Sequence, residues 1–344
     1  MCEKITIPKE LLWDYKKAPD DILWRLQRIA DFFPAYGTDR NTVRLLHKYR
    51  DSLAMEDGKH RLIDIYHEMR KSKTTGIPHK KGIFSDLPEQ SASPTIFLCE
   101  STMVERRYNK RTLHPEIMRK KPIRKIEPNR ILTPNQQTFL RLFAASDLSE
   151  VFRLSGGTAL SAFYLEHRLS DDLDFFSSEK IPYYMVKDFL KQLGFTDKIH
   201  FAKKYDRNIF TLKLRDNSVL KTEFTYYPLK NIENTNRIGS LRIDSFKDIV
   251  VNKLCAIADR IDIKDYVDIY CAMKDDDTDA LHEMIDAAED KCEISGIRHI
   301  LQSRLLQIPG GIEKLALRKD IAPSDMAEFF TVSVRSMVKT FTEI

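Results

Sequence analysis

Apolar residues recur at helical spacing through the first seventy positions: Ile22, Leu26, Ile29, Ala30 and Phe33, then Val43 and Leu46, then Leu62, Ile63 and Tyr66. This pattern predicts a small helical domain over residues 1–70. Pro34 and Gly37 separate its first two helices, and Thr38 or Asp39 caps the second. Both tryptophans, Trp13 and Trp24, fall here and are expected to serve its core. The pattern then lapses. Residues 71–95 turn to Lys, Ser, Thr, Gly and Pro, and read as linker. A short apolar stretch at 95–99 follows. Pro115, Pro122, Pro128 and Pro134 then exclude long helices, so 71–131 reads as linker and connector.

From residue 132 two periods alternate. Thr133-Pro134-Asn135-Gln136 has the form of a helix N-terminus with a capping box, and Phe139, Leu142, Phe143 and Ala144 continue as a helical apolar face. Residues 151–154 predict a short strand, Gly156-Gly157 a turn, and 159–167 a helix. A second strand is expected over 173–176, then a helix over 182–193 stopped by Gly194. Residues 209–214 and 220–226 alternate as half-buried strands joined by a turn at 215–218. From Ser245 onward the helical period returns, broken at Pro309-Gly310-Gly311. The chain therefore reads as α+β. A small mixed-sheet core over 132–240 is followed by a C-terminal helical bundle over 241–344, with the small helical domain in front.

Composition adds three limits. The 344 residues exceed one average domain. No stretch approaches the run of about 20 apolar residues that crosses a bilayer, and the start lacks a signal-peptide core. Five scattered cysteines (Cys2, Cys99, Cys255, Cys271, Cys292) form no paired motif, which argues for a reducing, cytoplasmic setting without structural zinc. Net charge is only +5, yet ten Lys/Arg face three acids over residues 105–130, so that window alone carries +7. It fits contact with a polyanion or, equally, a solvated and self-repelling connector.

The chemistry centres on Asp172-Leu173-Asp174-Phe175-Phe176. Strand alternation puts Asp172 and Asp174 on one face, in an apolar context. Like charges there call for protonation, a basic partner or a bound cation, and a hard divalent metal such as Mg²⁺ suits two oxygens on a rigid strand. Asp171 points to the other face. Upstream, Gly156 and Gly157 permit close approach of the backbone to phosphate, and Thr158 adds a hydroxyl at the start of a helix. Ser170 shapes the turn into the strand. Arg168 contacts phosphate or pairs with a carboxylate, and His167 packs or caps a helix end.

Gly-Gly-Thr-Ala at 156–159, followed by His167-Arg168-x-Ser170-x-Asp172-Leu173-Asp174-Phe175-Phe176, closely resembles the first motif of the AbiEii/AbiGii toxin family of nucleotidyltransferases. That family lies within the polymerase-beta-like nucleotidyltransferase superfamily. The resemblance runs from about 132 to about 273 and weakens beyond. It implies a third carboxylate, which aligns with Glu223 and would join Asp172 and Asp174 on a metal or act as general base. It also implies two later motifs. One is the Lys253-x-x-Ala256-x-x-x-Arg260 helix and the other is Lys264-Asp265-x-x-Asp268-x-Tyr270. Lys253 emerges from an apolar face and is expected to meet a triphosphate. Asp265 would position Lys253 or a metal-bound water, and Asp268 would hold Arg260 or a helix terminus. Tyr270 fills core or stacks on a base. Lys264 stands where the family often has arginine.

The resemblance implies Mg²⁺-dependent (or Mn²⁺-dependent) transfer of nucleotides from an NTP to an RNA acceptor, tRNA above all, by the toxin of a toxin–antitoxin or phage-defence system. A cognate antitoxin is then an expected partner. The same residues also suit transfer of AMP to a protein hydroxyl. A third reading is a non-catalytic regulator on a relic fold, against which the intact set Asp172, Asp174, Glu223 and Lys253 argues. Residues 1–70 resemble a helical module that accompanies such enzymes, with an interaction or regulatory role or none that can be read.

Overall fold

A computed structural model describes residues 5–15, 17–72, 122–294 and 296–342. Most of the predicted linker and of the basic window lies outside them. The helices are α1 (Ile22–Asp31), α2 (Arg40–Tyr49), α3 (Asp57–Ser72), α4 (Pro134–Ala144), α5 (Leu148–Val151), α6 (Gly156–Leu160), α7 (Tyr183–Gln192), α8 (Phe246–Asp259), α9 (Ile263–Met273), α10 (Thr278–Cys292), α11 (Ile297–Arg304) and α12 (Pro323–Thr342). The strands are β1 (Arg153–Ser155), β2 (Asp172–Ser177), β3 (Thr196–Lys204), β4 (Arg207–Leu214), β5 (Val219–Tyr226), β6 (Asn236–Ile238) and β7 (Leu241–Ile243).

The described strands form one mixed sheet in the order β3-β4-β5-β2-β1-β7-β6. β2 lies at its centre, antiparallel to β1 and parallel to β5. Alternation along β2 buries Leu173, Phe175 and Ser177 and turns Asp172, Asp174 and Phe176 to the other face. The buried face is aromatic. Phe175 stacks on Phe224 of β5 at 5.0 Å and meets Phe143 of α4 at a tilt at 4.2 Å, while Phe189 of α7 meets Phe143 edge-on at 5.7 Å. Helices α4 and α7 thus cover one side. Fully burying each such ring stabilises the fold by about 1.5–3 kcal/mol. On the other side α6 packs against β2, α8 and α9.

Local chemistry sets the element ends. Thr133 accepts from the Gln136 backbone N–H while the Gln136 side chain accepts from the Thr133 N–H, the predicted capping box of α4. Asp39 rather than Thr38 caps α2, accepting from the N–H groups of Asn41 and Thr42. Ser245 caps α8.

Several expectations change. The first strand begins two residues late, because 148–151 close a helical turn as α5. Gly156 and Gly157 open α6 rather than forming a separate turn, and the helix continues as a π turn over Ser161–Leu165 that ends at Glu166 in the left-handed region. α7 stops at Gln192 through an extended Leu193, and Gly194 is not left-handed. Trp13 is 64% exposed, edge-on to Phe32 with the Arg28 guanidinium above it. It serves the surface, and Trp24 is only half-buried. The end of the predicted connector is anchored. Ile126 and Ile131 are buried, the Arg124 N–H donates to the Phe163 carbonyl and Asn129 donates to the Ala162 carbonyl. Cys255 and Cys292, on α8 and α10, are joined by a disulfide, so the expectation of unpaired cysteines fails for that pair; Cys271 is buried and free. The N-terminal helices dock on the C-terminal ones through Glu56–Arg304 (3.2 Å) and Glu68–Arg335 (2.7 Å). No helix among the described residues is long and apolar enough to cross a membrane.

Candidate active site

The sheet register builds the site. β2 and β5 run parallel with Asp172 opposite Lys221 and Asp174 opposite Glu223. Since side chains alternate, all four stand on one face. Asp174 is the most strained of them electrostatically. Burial first, then the neighbouring Glu223 and Asp172 charges, push its carboxyl up to about 6. Glu223 is buried and is held by Arg207, whose Nε donates at 2.8 Å, and by Lys221 at 3.2 Å. Lys221 also reaches Asp172 Oδ2 at 3.1 Å. Arg207 and Lys221 were not singled out in the sequence. The signal was present for Lys221, two residues before Glu223 on the same strand and therefore on its face.

Among the described residues no three His, Cys, Asp or Glu side chains already converge as a metal-ligand cluster. Lys221 stands between Asp172 and Glu223 and supplies positive charge there. The donor set nevertheless suits a hard cation. Asp172 and Asp174 offer carboxylate oxygens from one rigid strand, and the raised Asp174 carboxyl marks negative charge that its protein neighbours leave under-compensated.

The glycines act on this face directly. Gly156 has φ +73°, and a Cβ there would lie 2.2 Å from Asp174 Oδ2. A Cβ on Gly157 would lie 2.4 Å from Arg168 Nη2 and 3.4 Å from Ser170 Oγ. Their small size thus lets α6 start against the carboxylate and the guanidinium. Thr158 uses its hydroxyl to donate to the Asp172 carbonyl, so it clips α6 to β2 and is not free for phosphate. Ser170 is half-buried, and Gln136 Nε2 fixes its turn by donating to the Ser170 and Asp171 carbonyls at 3.0 and 3.1 Å. Asp171 precedes β2 and is exposed, so it does not follow the strand alternation expected to turn it to the other face.

A second, buried cluster lies behind. Asp268 of α9 accepts from Arg168 Nε at 2.7 Å and Nη2 at 2.9 Å, from His167 Nε2 at 2.7 Å, and pairs with Lys253 Nζ at 2.7 Å. Burial opposes its charge, but Lys253 and Arg168 outweigh it and hold the carboxyl well below the usual carboxylate range. Burial pulls the His167 imidazole down, against the pull of Asp268. A neutral ring then donates from Nε2, and its buried Nδ1 has no partner among the described residues. Lys253 also binds Asp265 Oδ1 at 2.8 Å, as predicted. Burial lowers its ammonium pKa, but Asp268 and Asp265 override this and keep it raised. The anions facing Lys253 are therefore aspartates of its own chain. Arg260 pairs with Asp265 at 3.1 Å and not with Asp268. Asp268 pairs instead with Arg168, which follows the π turn. A C-terminal segment clasps the same corner: the Leu169 N–H donates to the Ala316 carbonyl, and the Arg318 N–H to the His167 carbonyl. Tyr270 is buried and meets Phe329 edge-on at 5.6 Å, so it fills core.

A glycine-hinged helix start against an Asp-x-Asp strand, with a third carboxylate in register beside it, is the arrangement that the sequence motif implies. Residues 138–335 match the family described as "Nucleotidyl transferase AbiEii toxin, Type IV TA system". The chain belongs to that family. The AbiEii match runs from within α4 to within α12 and includes Gly156, Asp172, Asp174, Glu223, Lys253 and Asp268. Over 147 residues the chain is 33% identical to the uncharacterized protein aq_aa25 of Aquifex aeolicus (strain VF5), covering 42% of this chain and 68% of that one. Among solved structures, JHP933 from Helicobacter pylori is similar at 22% identity and a TM-score of 0.41, over 61% of this chain and 93% of that one. The Megavirus polyadenylate synthase is similar at 18% identity and a TM-score of 0.30, over 40% of this chain and 31% of that one. Family membership identifies the chain as a nucleotidyltransferase.

Proposed function

We propose that the protein is a Mg²⁺-dependent enzyme that moves a nucleoside monophosphate from an NTP to the end of an RNA, with tRNA as the principal acceptor. Its biological setting would be that of a toxin, held in check by a cognate antitoxin or released during phage defence. The observation that carries the reading is Asp174: a carboxylate pressed against Asp172 and Glu223, with Gly156 cleared of a side chain in front of it.

Asp172 and Asp174 would hold the metal, and Mn²⁺ suits the same oxygens. Bound there, Mg²⁺ would neutralise charge on the transferring phosphoryl group and organise an in-line displacement. The protein's own groups divide the remaining work. Gly156 and Gly157 let backbone come close to the triphosphate. Lys253, fixed by Asp265 and Asp268, contributes a positive charge that cannot wander. Arg168 and His167 lock the α9 carboxylate that fixes it. Glu223, clamped by Arg207 and Lys221, would place a third carboxylate beside Asp174.

The test supplies each of the four NTPs, labelled at the α-phosphate, together with Mg²⁺ and a cell extract, and then separates RNA from protein. Label in RNA of tRNA size supports the reading. Label in protein instead assigns AMP transfer to a protein hydroxyl, and label in neither returns the fold to a binding or regulatory role.

A further inference from the structure

The face that bears the carboxylates does not end at β5. Register carries it across β4 to the free edge at β3. Lys221 faces Thr211 of β4, which faces His200 of β3; Glu223 faces Ile209, which faces Ala202. On the two flanking rows Lys213 pairs with Lys198, and Arg207 with Lys204. The opposite side of these strands is the buried one, where Phe210, Leu212 and Phe224 meet the helical layer. On the open side Lys198, His200, Ala202, Lys204 and Lys213 are exposed.

Charge on this surface is predominantly positive outward of the site. Within β3, β4 and β5 the acids are Glu223 and, at the bulge beside Lys198, the exposed Asp197. The inner cations are already engaged, Lys221 with Asp172 and Glu223, and Arg207 with Glu223. The outer three, Lys198, Lys204 and Lys213, have no carboxylate partner among the described residues. Lysines on an edge strand also discourage strand addition. That role accounts for β3 alone, and it leaves Lys213 on the inner strand β4 without a reason.

We propose that this uncovered face of β3, β4 and β5 is the track on which the sugar–phosphate backbone of an RNA strand lies while its terminal hydroxyl reaches the carboxylates. Strand spacing puts the β3 lysines about 14 Å from β2, a reach of a few nucleotides. Unpaired lysines would displace counterions from the phosphates and supply affinity with little regard for sequence. The assignment rests on the RNA-acceptor reading above and adds where that acceptor lies.

The experiment compares the full chain with two triple variants of equal charge change. One is Lys198→Ala with Lys204→Ala and Lys213→Ala, on the open face. The other is Lys180→Ala with Lys191→Ala and Lys203→Ala, on or beside the helix-covered side. Binding of a short fluorescent single-stranded RNA is measured across a salt series, with polyglutamate as competitor, and binding of a labelled NTP with Mg²⁺ is measured alongside. The open-face variant should bind RNA at least about ten-fold more weakly, with a salt slope smaller by about 2, from roughly 0.7 per lost phosphate contact. Its NTP binding should be unchanged, and the control variant should match wild type. The proposal is overturned if the open-face variant keeps wild-type RNA affinity, if the control loses as much, or if polyglutamate at matched charge displaces RNA from the wild type. A failure of the underlying reading looks different: RNA binding would depend on the three lysines, yet the wild type would add no nucleotide to RNA.

Discussion

Replacing Asp174 by asparagine should make the metal-free protein more stable while ending catalysis. The carboxyl is raised from 3.8 to about 6 by burial and by the Glu223 and Asp172 charges. Its folded form therefore holds a proton that the unfolded chain gives up between roughly pH 4 and pH 6. The stabilising contribution is complete below pH 3.8 and is lost as pH rises through about 6. Two units correspond to about 3 kcal/mol, and since Asp174 is only half-buried, solvent screening reduces this to about 1–3 kcal/mol. Asparagine keeps the shape and cannot ionise. Urea denaturation with a chelator present should show Asp174→Asn more stable than wild type at pH 8 by about that amount, with the difference closing toward pH 4. Adding Mg²⁺ should stabilise wild type and leave the variant unmoved. A variant less stable than wild type at pH 8, or one stabilised by Mg²⁺ to the same extent, would refute the reasoning.

Other substitutions probe the frame. Gly156→Ala forces a side chain into a left-handed residue and against Asp174 Oδ2, and chemical denaturation should register a loss of about 2–4 kcal/mol. Asp268→Asn leaves Lys253 and Arg168 buried without their shared counter-charge, a loss of about 3–5 kcal/mol; an unchanged midpoint would show that Asp265 alone suffices. Because the Asp268 carboxyl is held low, its contribution is present above the ordinary carboxylate pKa and disappears as pH falls through the lowered value, the reverse of Asp174. Thr133→Ala removes one half of the α4 capping box and should cost about 0.5–2 kcal/mol by thermal melting, with nucleotide binding intact.

Where one face of a strand is buried, the sequence could be read. The alternation in β2 and β5 placed Asp172, Asp174 and Glu223 on faces that the parallel register then joined. The capping box of α4 and the Ser245 start of α8 are local chemistry and were equally legible. β3 was not. Its residues are mostly exposed, so hydrophobic alternation, the usual mark of a half-buried strand, is faint there. β7 is three residues long and reaches β1 only through a single parallel partner, Leu154 with Ile243. The partners of Asp268 lie about a hundred positions away, at His167 and Arg168, whereas the sequence pointed to Arg260 or a helix terminus. Lys253 looked like a phosphate ligand because its apolar surroundings demand an anion, and sequence alone cannot tell a bound anion from two aspartates on the next helix. The disulfide between Cys255 and Cys292 depends on how α8 and α10 cross, which no motif encodes.

The most direct measurement is anomalous diffraction from a crystal grown with Mn²⁺ and a non-hydrolysable NTP. A manganese peak bridging the carboxylates of Asp172 and Asp174, with the triphosphate against Gly156 and Gly157, is the predicted result. Manganese and nucleotide bound at a different surface, with those two side chains free of both, would contradict the account.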